Sequence, residues 1–335
     1  MSERETLRPK LEQVLCTPIR TLGLKIEGSP LEPFVQQLYR ELESKNLLRF
    51  RPAVYLTDEW GCPSGEPIIG IPFYLAQAEL AQLEKETNDL EDAREIMMYL
   101  RHEAGHAFNY AYKLHRNREW KQLFGSFRRP YRDHYRPVPF SRNHVRYLAG
   151  WYAQKHPDED FAETFAVWLT PRSAWRRRYR GWGALAKLRY IDRMARELAN
   201  IDPIRRRGQP DVTVDEMEMT VAEFYHRDGE GIASRDLLLD TDLQDIFNTS
   251  RRRKTAKPAQ GFLHSHRKTV IDKVTYWTGA PRPLIKELVE SIERRLGDLN
   301  LFVDLDRESE HLVHITVYAT ALAMHYVARG RFVQP

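Results

Sequence analysis

Between Asp92 and Leu114 the chain reads DAREIMMYLRHEAGHAFNYAYKL, and no other stretch constrains the fold as strongly. Ile96, Met97, Leu100, Ala104, Ala107, Phe108 and Ala111 recur at helical spacing with no proline among them, which predicts a helix with a buried apolar face. Asn88 followed by Glu91 reads as a capping box for its start. At its centre stand His102-Glu103-Ala104-Gly105-His106, an HExxH pattern. Residues four apart on a helix lie nearly above one another, so His102 and His106 project from one face and can hold one Zn²⁺. Glu103 then sits beside the open coordination position, where a carboxylate serves as general base on a zinc-bound water. The competing reading is a core helix with incidental polar residues. It leaves a desolvated Glu103 with no partner, which is costly.

A second constellation lies in Trp151 to Pro171, WYAQKHPDEDFAETFAVWLTP. Pro157 suits the first turn of a helix, Asp158 and Glu159 suit its positive end, and Pro171 marks its stop. Glu159 and Glu163 share a face with Ala162 and Ala166, while Phe161, Phe165 and Trp168 fall on another side and point to a core. Two carboxylates on a small-residue face suit close packing against the HExxH helix. One ligates zinc and the other holds a ligating imidazole by its free ring N–H. Spacing alone does not say which does which, and a solvated acidic face balanced by arginines is the alternative.

HEAGH followed some fifty residues later by Glu-x-x-x-Glu resembles the gluzincin group of zinc metallopeptidases. More narrowly, EDFAETFAVWL with Tyr152 seven residues before Glu159 resembles anthrax lethal factor-like catalytic domains and a bacterial group of zinc-binding metallopeptidases. The resemblance covers about residues 90 to 172. It implies Glu159 as third metal ligand, Glu163 as the residue orienting an imidazole, and Tyr152 as stabiliser of a tetrahedral oxyanion. Metzincins do not fit, because Asn109 and Tyr112 stand where HExxHxxGxxH needs Gly and His.

The 335 residues suggest two domains. We expect an α+β, mainly helical fold: a zincin-like peptidase domain over 1–202 and a helical C-terminal region over 213–335, accessory or regulatory. Ile201 to Val212, rich in Pro and Gly, reads as the boundary. Arg49 to Leu56 and Ile68 to Leu75 read as strands, joined by the turn-rich Asp58 to Pro67. Pro72 cannot donate to a ladder, so the second strand is expected at an exposed sheet edge, where an extended peptide could add itself. Arg116 to Arg146 reads as a long irregular connection containing two further candidate ligands, His134 and His144. Val214 to Asn248 reads as acidic helix and Ser250 to Gly261 as a basic linker. Three helices are expected near 265–276, 281–297 and 309–328. His264-Ser265-His266 has metal-binding residue types without a carboxylate pattern and reads as an exposed turn.

The net charge of +5 permits an anionic partner. Arg176-Arg177-Arg178 and Arg180, with Trp175, Tyr179 and Trp182 between them, could contact phosphates and bases, so nucleic acid is carried as a possible partner beside a peptide or protein substrate. The alternatives to a peptidase are a DNA-associated zinc protease and a nucleic-acid-binding protein with a structural zinc. A protein partner for the C-terminal region is a further expectation. Cys16 and Cys62 are too few for a disulfide framework, and no run of some 18 apolar residues could span a bilayer. The charged start lacks a signal-peptide pattern, so the expected location is cytoplasmic.

Overall fold

In the computed structural model, which describes residues 14–87, 90–132, 135, 137–226, 239–247 and 253–329, the HExxH helix spans Ala93–Ala111. Its cap is Asp92, whose carboxylate accepts from the N–H groups of Arg94 and Glu95 while Glu95 accepts from the N–H of Asp92. Asn88 lies outside the described residues. Glu91, its expected partner, instead accepts from the Trp60 indole and the Tyr74 hydroxyl. The seven residues of the apolar stripe are all buried. So is every residue from His102 to Ala111, because the helix is packed by the strand Ile68–Pro72, by the helix Glu32–Ser44 and by a second central helix. Periodicity shows one apolar face; the remaining faces are covered because polar side chains there find partners.

That second helix, Pro157–Leu169, carries the carboxylates. His156 caps it by accepting the Asp158 N–H at Nδ1, and Pro157 takes the first turn, where a missing N–H is no loss. All thirteen of its residues are buried, so Glu159 and Glu163 do not form a solvated acidic face. Phe161, Phe165 and Trp168 enter the core as expected. The two central helices approach so closely at Gly105 that a Cβ there would stand 2.7 Å from the Cα of Ala162. Asp160 is anchored from below by Lys187 of the helix Ala184–Leu198, whose ammonium donates to it at 2.5 Å and to the Asn143 carbonyl at 2.7 Å.

The sheet beside the HExxH helix has two parallel strands, β1 (Ala53–Thr57) and β2 (Ile68–Pro72), in register from Ala53 against Ile68 to Thr57 against Pro72. The exposed edge expected at β2 is not there. All five β2 residues are buried, and Gly70 exchanges both backbone hydrogen bonds with Gly61, at 2.7 and 3.3 Å. The link 58–67 is shorter than the dozen or so residues of a helical crossover. It achieves the parallel return by passing outside β2, and so covers the side that a proline-ended strand leaves open.

Among the described residues the chain forms two compact units, one within 14–135, 140–147 and 152–226, the other within 137–139, 148–151 and 239–329. Residues 201–212 pack in the first: the Arg205 N–H donates to the Ala111 carbonyl, and the Tyr55 hydroxyl donates to Asp211. The second unit is built on the helices Ala259–Thr278, Arg282–Asp298 and Glu308–Arg329 around Leu263, Ile271, Leu288, Ile292 and Ile315. Two readings change here. Ala256–Pro258, read as linker, pairs antiparallel with Phe302–Asp304, and the first helix starts at Ala259, so His264 and His266 lie on a helix rather than a turn. Of 214–248, the described part holds a 3-10 turn at Val214–Glu216 and short helices at Val221–His226 and Asp240–Ile246; residues 227–238 and 248 lie outside the described residues. No described helix is long and apolar enough to cross a membrane.

Two substitutions test this packing. Gly105→Ala should destabilise the first unit by about 1–3 kcal/mol, since backbone rather than a flexible side chain meets the new methyl. Gly261→Ala, where a Cβ meets nothing within 4 Å, should be neutral or slightly stabilising in the same denaturation assay. Burial pushes the Asp160 carboxyl up to about 7 even against Lys187. Its folded pKa therefore lies above its unfolded value, and the folded protein favours the protonated form at low pH. Without Lys187, which holds it down, the carboxyl rises further, so the cost of Lys187→Ala should be small near pH ~5 and grow as the pH climbs above ~7, toward about 3–5 kcal/mol. Thermal unfolding at the two pH values measures the difference.

Candidate active site

His102 and His106, one turn apart on the HExxH helix, point their Nε2 atoms at one spot, 3.2 Å from each other. Glu159, near the start of the carboxylate helix, places Oε2 at 3.0 Å from the first and 3.2 Å from the second. These three buried groups are the one set of potential metal donors that converges among the described residues. A tetrahedral ion with ligand bonds near 2.0–2.1 Å holds its donors about 3.3 Å apart. The triangle therefore has the size that zinc requires, and its mixed nitrogen and oxygen chemistry suits that ion.

The outward nitrogen of each imidazole is held. His102 Nδ1–H donates to Glu163 at 3.1 Å, and His106 Nδ1–H donates to Asp158 at 3.0 Å. Each carboxylate is itself fixed. Glu163 accepts the Tyr147 N–H; Asp158 accepts the Asn109 amide at 2.8 Å and the Tyr110 hydroxyl. Arg101 extends this scaffold, gripping Glu41 through two nitrogens at 2.7 Å and reaching the Tyr147 hydroxyl at 3.5 Å. Such outer partners set the tautomer and the ring orientation, so that Nε2 of each ring offers a lone pair inward.

A cleft of about 410 Å³ opens on the triangle, with Trp60, Cys62, Glu103, Phe127, Tyr131 and Tyr152 on its walls. The chain reverses at Gly150 (φ 78°) and Trp151 (φ 52°), both left-handed, and then delivers Tyr152 with its ring 5.6 Å from that of His102. Tyr131 donates to Glu159 Oε1 at 2.6 Å and lies 3.2 Å from the Tyr152 hydroxyl. A phenol has one proton to give. Tyr131 gives its proton to the carboxylate, so Tyr152 is the donor in the tyrosine pair. The Lys155 ammonium sits over both rings, at 4.4 and 5.2 Å.

Burial pulls the His102 imidazole down, but Glu159 and Glu163 outweigh it and push it up to about 9. His106 rises for the same reason, through Asp158 and Glu159. Burial raises Glu159, yet the two imidazoles hold it well below the ordinary carboxylate range. The centre is thus a buried negative field that stabilises positive charge. Burial raises Glu103 against the pull of both histidines, which makes it a stronger base than a free carboxylate. Burial, then Glu159, raise the Tyr152 phenol and keep its proton in place.

Every residue singled out in the HExxH and carboxylate helices reaches this site: His102, Glu103, His106, Tyr152 and Glu159 line the cleft, and Glu163 stands behind His102. His144 does not. It lies near Ser141 and 3.8 Å from Asp160, and burial holds its imidazole down to about 4. His134 lies outside the described residues. His264 and His266 pair separately with Glu293 and Glu308. Asp158 and Tyr131 were not legible as site residues. Two inward histidines need two orienting groups, a count that points to the carboxylate beside Glu159; nothing in the sequence marks Tyr131, which lies in irregular chain.

Tyr131 holds one oxygen of Glu159 and leaves the other to face the histidines. Tyr131→Phe should therefore weaken zinc binding by about 10–100-fold without abolishing it. A chelator competition against the wild-type protein gives the value.

Residues 65–181 match the family model described as "Putative zinc-binding metallo-peptidase". No curated protein and no solved structure matches the chain. The matched segment carries His102, Glu103, His106, Tyr131, Tyr152 and Glu159. Together with the buried His102–His106–Glu159 triangle, the match supports a zinc metallopeptidase family for this part of the chain.

Proposed function

We propose that the protein is a zinc-dependent peptidase of the gluzincin type, with His102, His106 and Glu159 as the metal ligands. The observation that carries this reading is the convergence of two Nε2 atoms and one carboxylate oxygen at the floor of a cleft that also exposes Glu103 and Tyr152. Bound there, zinc would polarise a peptide carbonyl and acidify a water. Glu103 takes the proton from the attacking water at a carboxylate oxygen and later passes it to the leaving amine. Tyr152 turns its O–H from Tyr131 toward the carbonyl oxygen as that atom gains negative charge. Asp158 and Glu163 keep the imidazoles from rotating while charge moves. A structural zinc would be closed by four protein ligands, whereas three converge among the described residues, with a cleft above them. This favours catalysis over a purely structural site.

The purified protein should carry about one zinc per chain. His102→Ala or His106→Ala should lose the metal. Glu103→Gln should retain it and lose cleavage of a peptide library, because only the proton acceptor is gone; a Gln variant cleaving at the normal rate would remove Glu103 from the role of base. The two glutamates separate by metal affinity. Glu159→Ala deletes a ligand and should bind zinc very poorly, while Glu163→Ala should lose about 10–100-fold in affinity or activity. The reverse ranking would make Glu163 the ligand.

A further inference from the structure

A second concavity of about 470 Å³, separate from the metal cleft, is lined by Lys45, Thr170 and Arg172 to Arg177. Four of its eight lining residues are cations and none is an anion. Lys45 arrives from the end of the helix Glu32–Ser44, its ammonium 4.9 Å from the Trp168 ring, so the cluster is made by the fold and not by one basic run. Burial, and the charge of Arg176, pull the Lys45 ammonium below the ordinary lysine value against Asp192 and Glu41. Arg176 lies over Trp175 at 4.1 Å and pairs with Asp192 at 2.8 Å. Arg172 and Arg177 have no carboxylate partner among the described residues.

The backbone of this wall is also unusual. Arg172 (φ 56°) and Ala174 (φ 47°) are both left-handed without being glycine. Side-chain-bearing residues avoid that region, and strain of this kind persists where the surrounding structure imposes it, often at binding sites. Like charges gathered in a hollow repel one another, and a bound anion removes that cost. Arg178 and Arg180, both exposed, follow directly along the chain. A single phosphate would use only part of such a row. A chain of phosphates would use all of it.

We infer that this groove binds the phosphates of a nucleic-acid backbone, with Lys45, Arg172 and Arg177 as the principal contacts. Ser173 supplies a hydroxyl beside them. The site is independent of the peptidase reading, since none of its residues touches the metal cleft.

Fluorescence anisotropy of the full chain with a labelled single-stranded DNA oligonucleotide tests it. Affinity should fall steeply between about 50 and 200 mM salt, with a slope near 0.7 per phosphate contacted. The triple variant Lys45→Ala, Arg172→Ala, Arg177→Ala should lower that slope by about 2. Because Lys45 leans on Trp168, the double variant Arg172→Ala, Arg177→Ala, confined to exposed side chains, should lower it by about 1.4 and keeps the test valid if the triple variant folds poorly. Equal removal of charge at Arg116, Arg118 and Lys121 should leave most of the binding. No binding at low salt would overturn the inference, as would equal loss in the charge-matched control. Displacement by polyglutamate as effective as by unlabelled DNA would overturn it too, by making the groove a general acid-binding surface; pyrophosphate displacing the oligonucleotide completely at equal phosphate concentration would assign it to small phosphates instead.

Discussion

The site depends on how closely two helices can touch. Where Gly105 meets Ala162 there is no room for one more methyl group, and that contact lies one turn from Glu159 and one residue from His106. A carboxylate has a short side chain. To share a spot with two imidazoles it must start from a backbone that is already near them. Gly105 and Ala162 provide that approach, and the aromatic layer of Phe108, Phe161 and Phe165 around them keeps it from opening. The HExxH pattern is usually read for its histidines and glutamate, but here the glycine between them is the residue on which the placement of Glu159 depends.

Close approach brings polar groups into a dry place, and the fold answers with linked chains of partners behind both histidines. His102 leans on Glu163, Glu163 on the Tyr147 backbone, Tyr147 on Arg101, and Arg101 on Glu41. His106 leans on Asp158, which the HExxH helix itself supplies with Asn109 and Tyr110. A half-satisfied network at this depth would cost more than an apolar core. This is why a helix whose sequence reads as amphipathic can be buried nearly all round. The same logic places Lys187 beneath Asp160, where a lone carboxylate would otherwise face a low-dielectric interior.

The triangle of His102, His106 and Glu159 lies in the first unit and within the matched segment, and the second unit has its own core of three long helices. His264 and His266 pair with glutamates one at a time, while His311 is buried against Phe247 and the Ile246 carbonyl. The groove around Lys45 and Arg172 belongs to the first unit as well, and it shares no lining residue with the cleft over the triangle.

The sequence by itself determined the parts that depend on local geometry. Four-residue spacing on a helix has one meaning, so His102 with His106 and Glu159 with Glu163 were each legible as same-face pairs, and Pro157 and Pro171 marked a helix around the second pair. Periodicity likewise located Ile96 to Ala111 and the three C-terminal helices. What it could not determine was anything set by distance along the chain. Glu159 and Glu163 are equivalent in spacing, and only the packing of one helix on the other distinguishes the oxygen between the histidines from the one behind them. Pro72 correctly excluded a ladder bond at its own nitrogen, but whether that strand stayed open depended on where Gly61 came to rest. The helix is capped at Asp92 with Glu95, not at the Asn88–Glu91 pair expected from the sequence. Tyr131 carries no signal at all: a tyrosine in an irregular loop becomes a partner of Glu159 only when tertiary structure brings a buried carboxylate within reach of its proton.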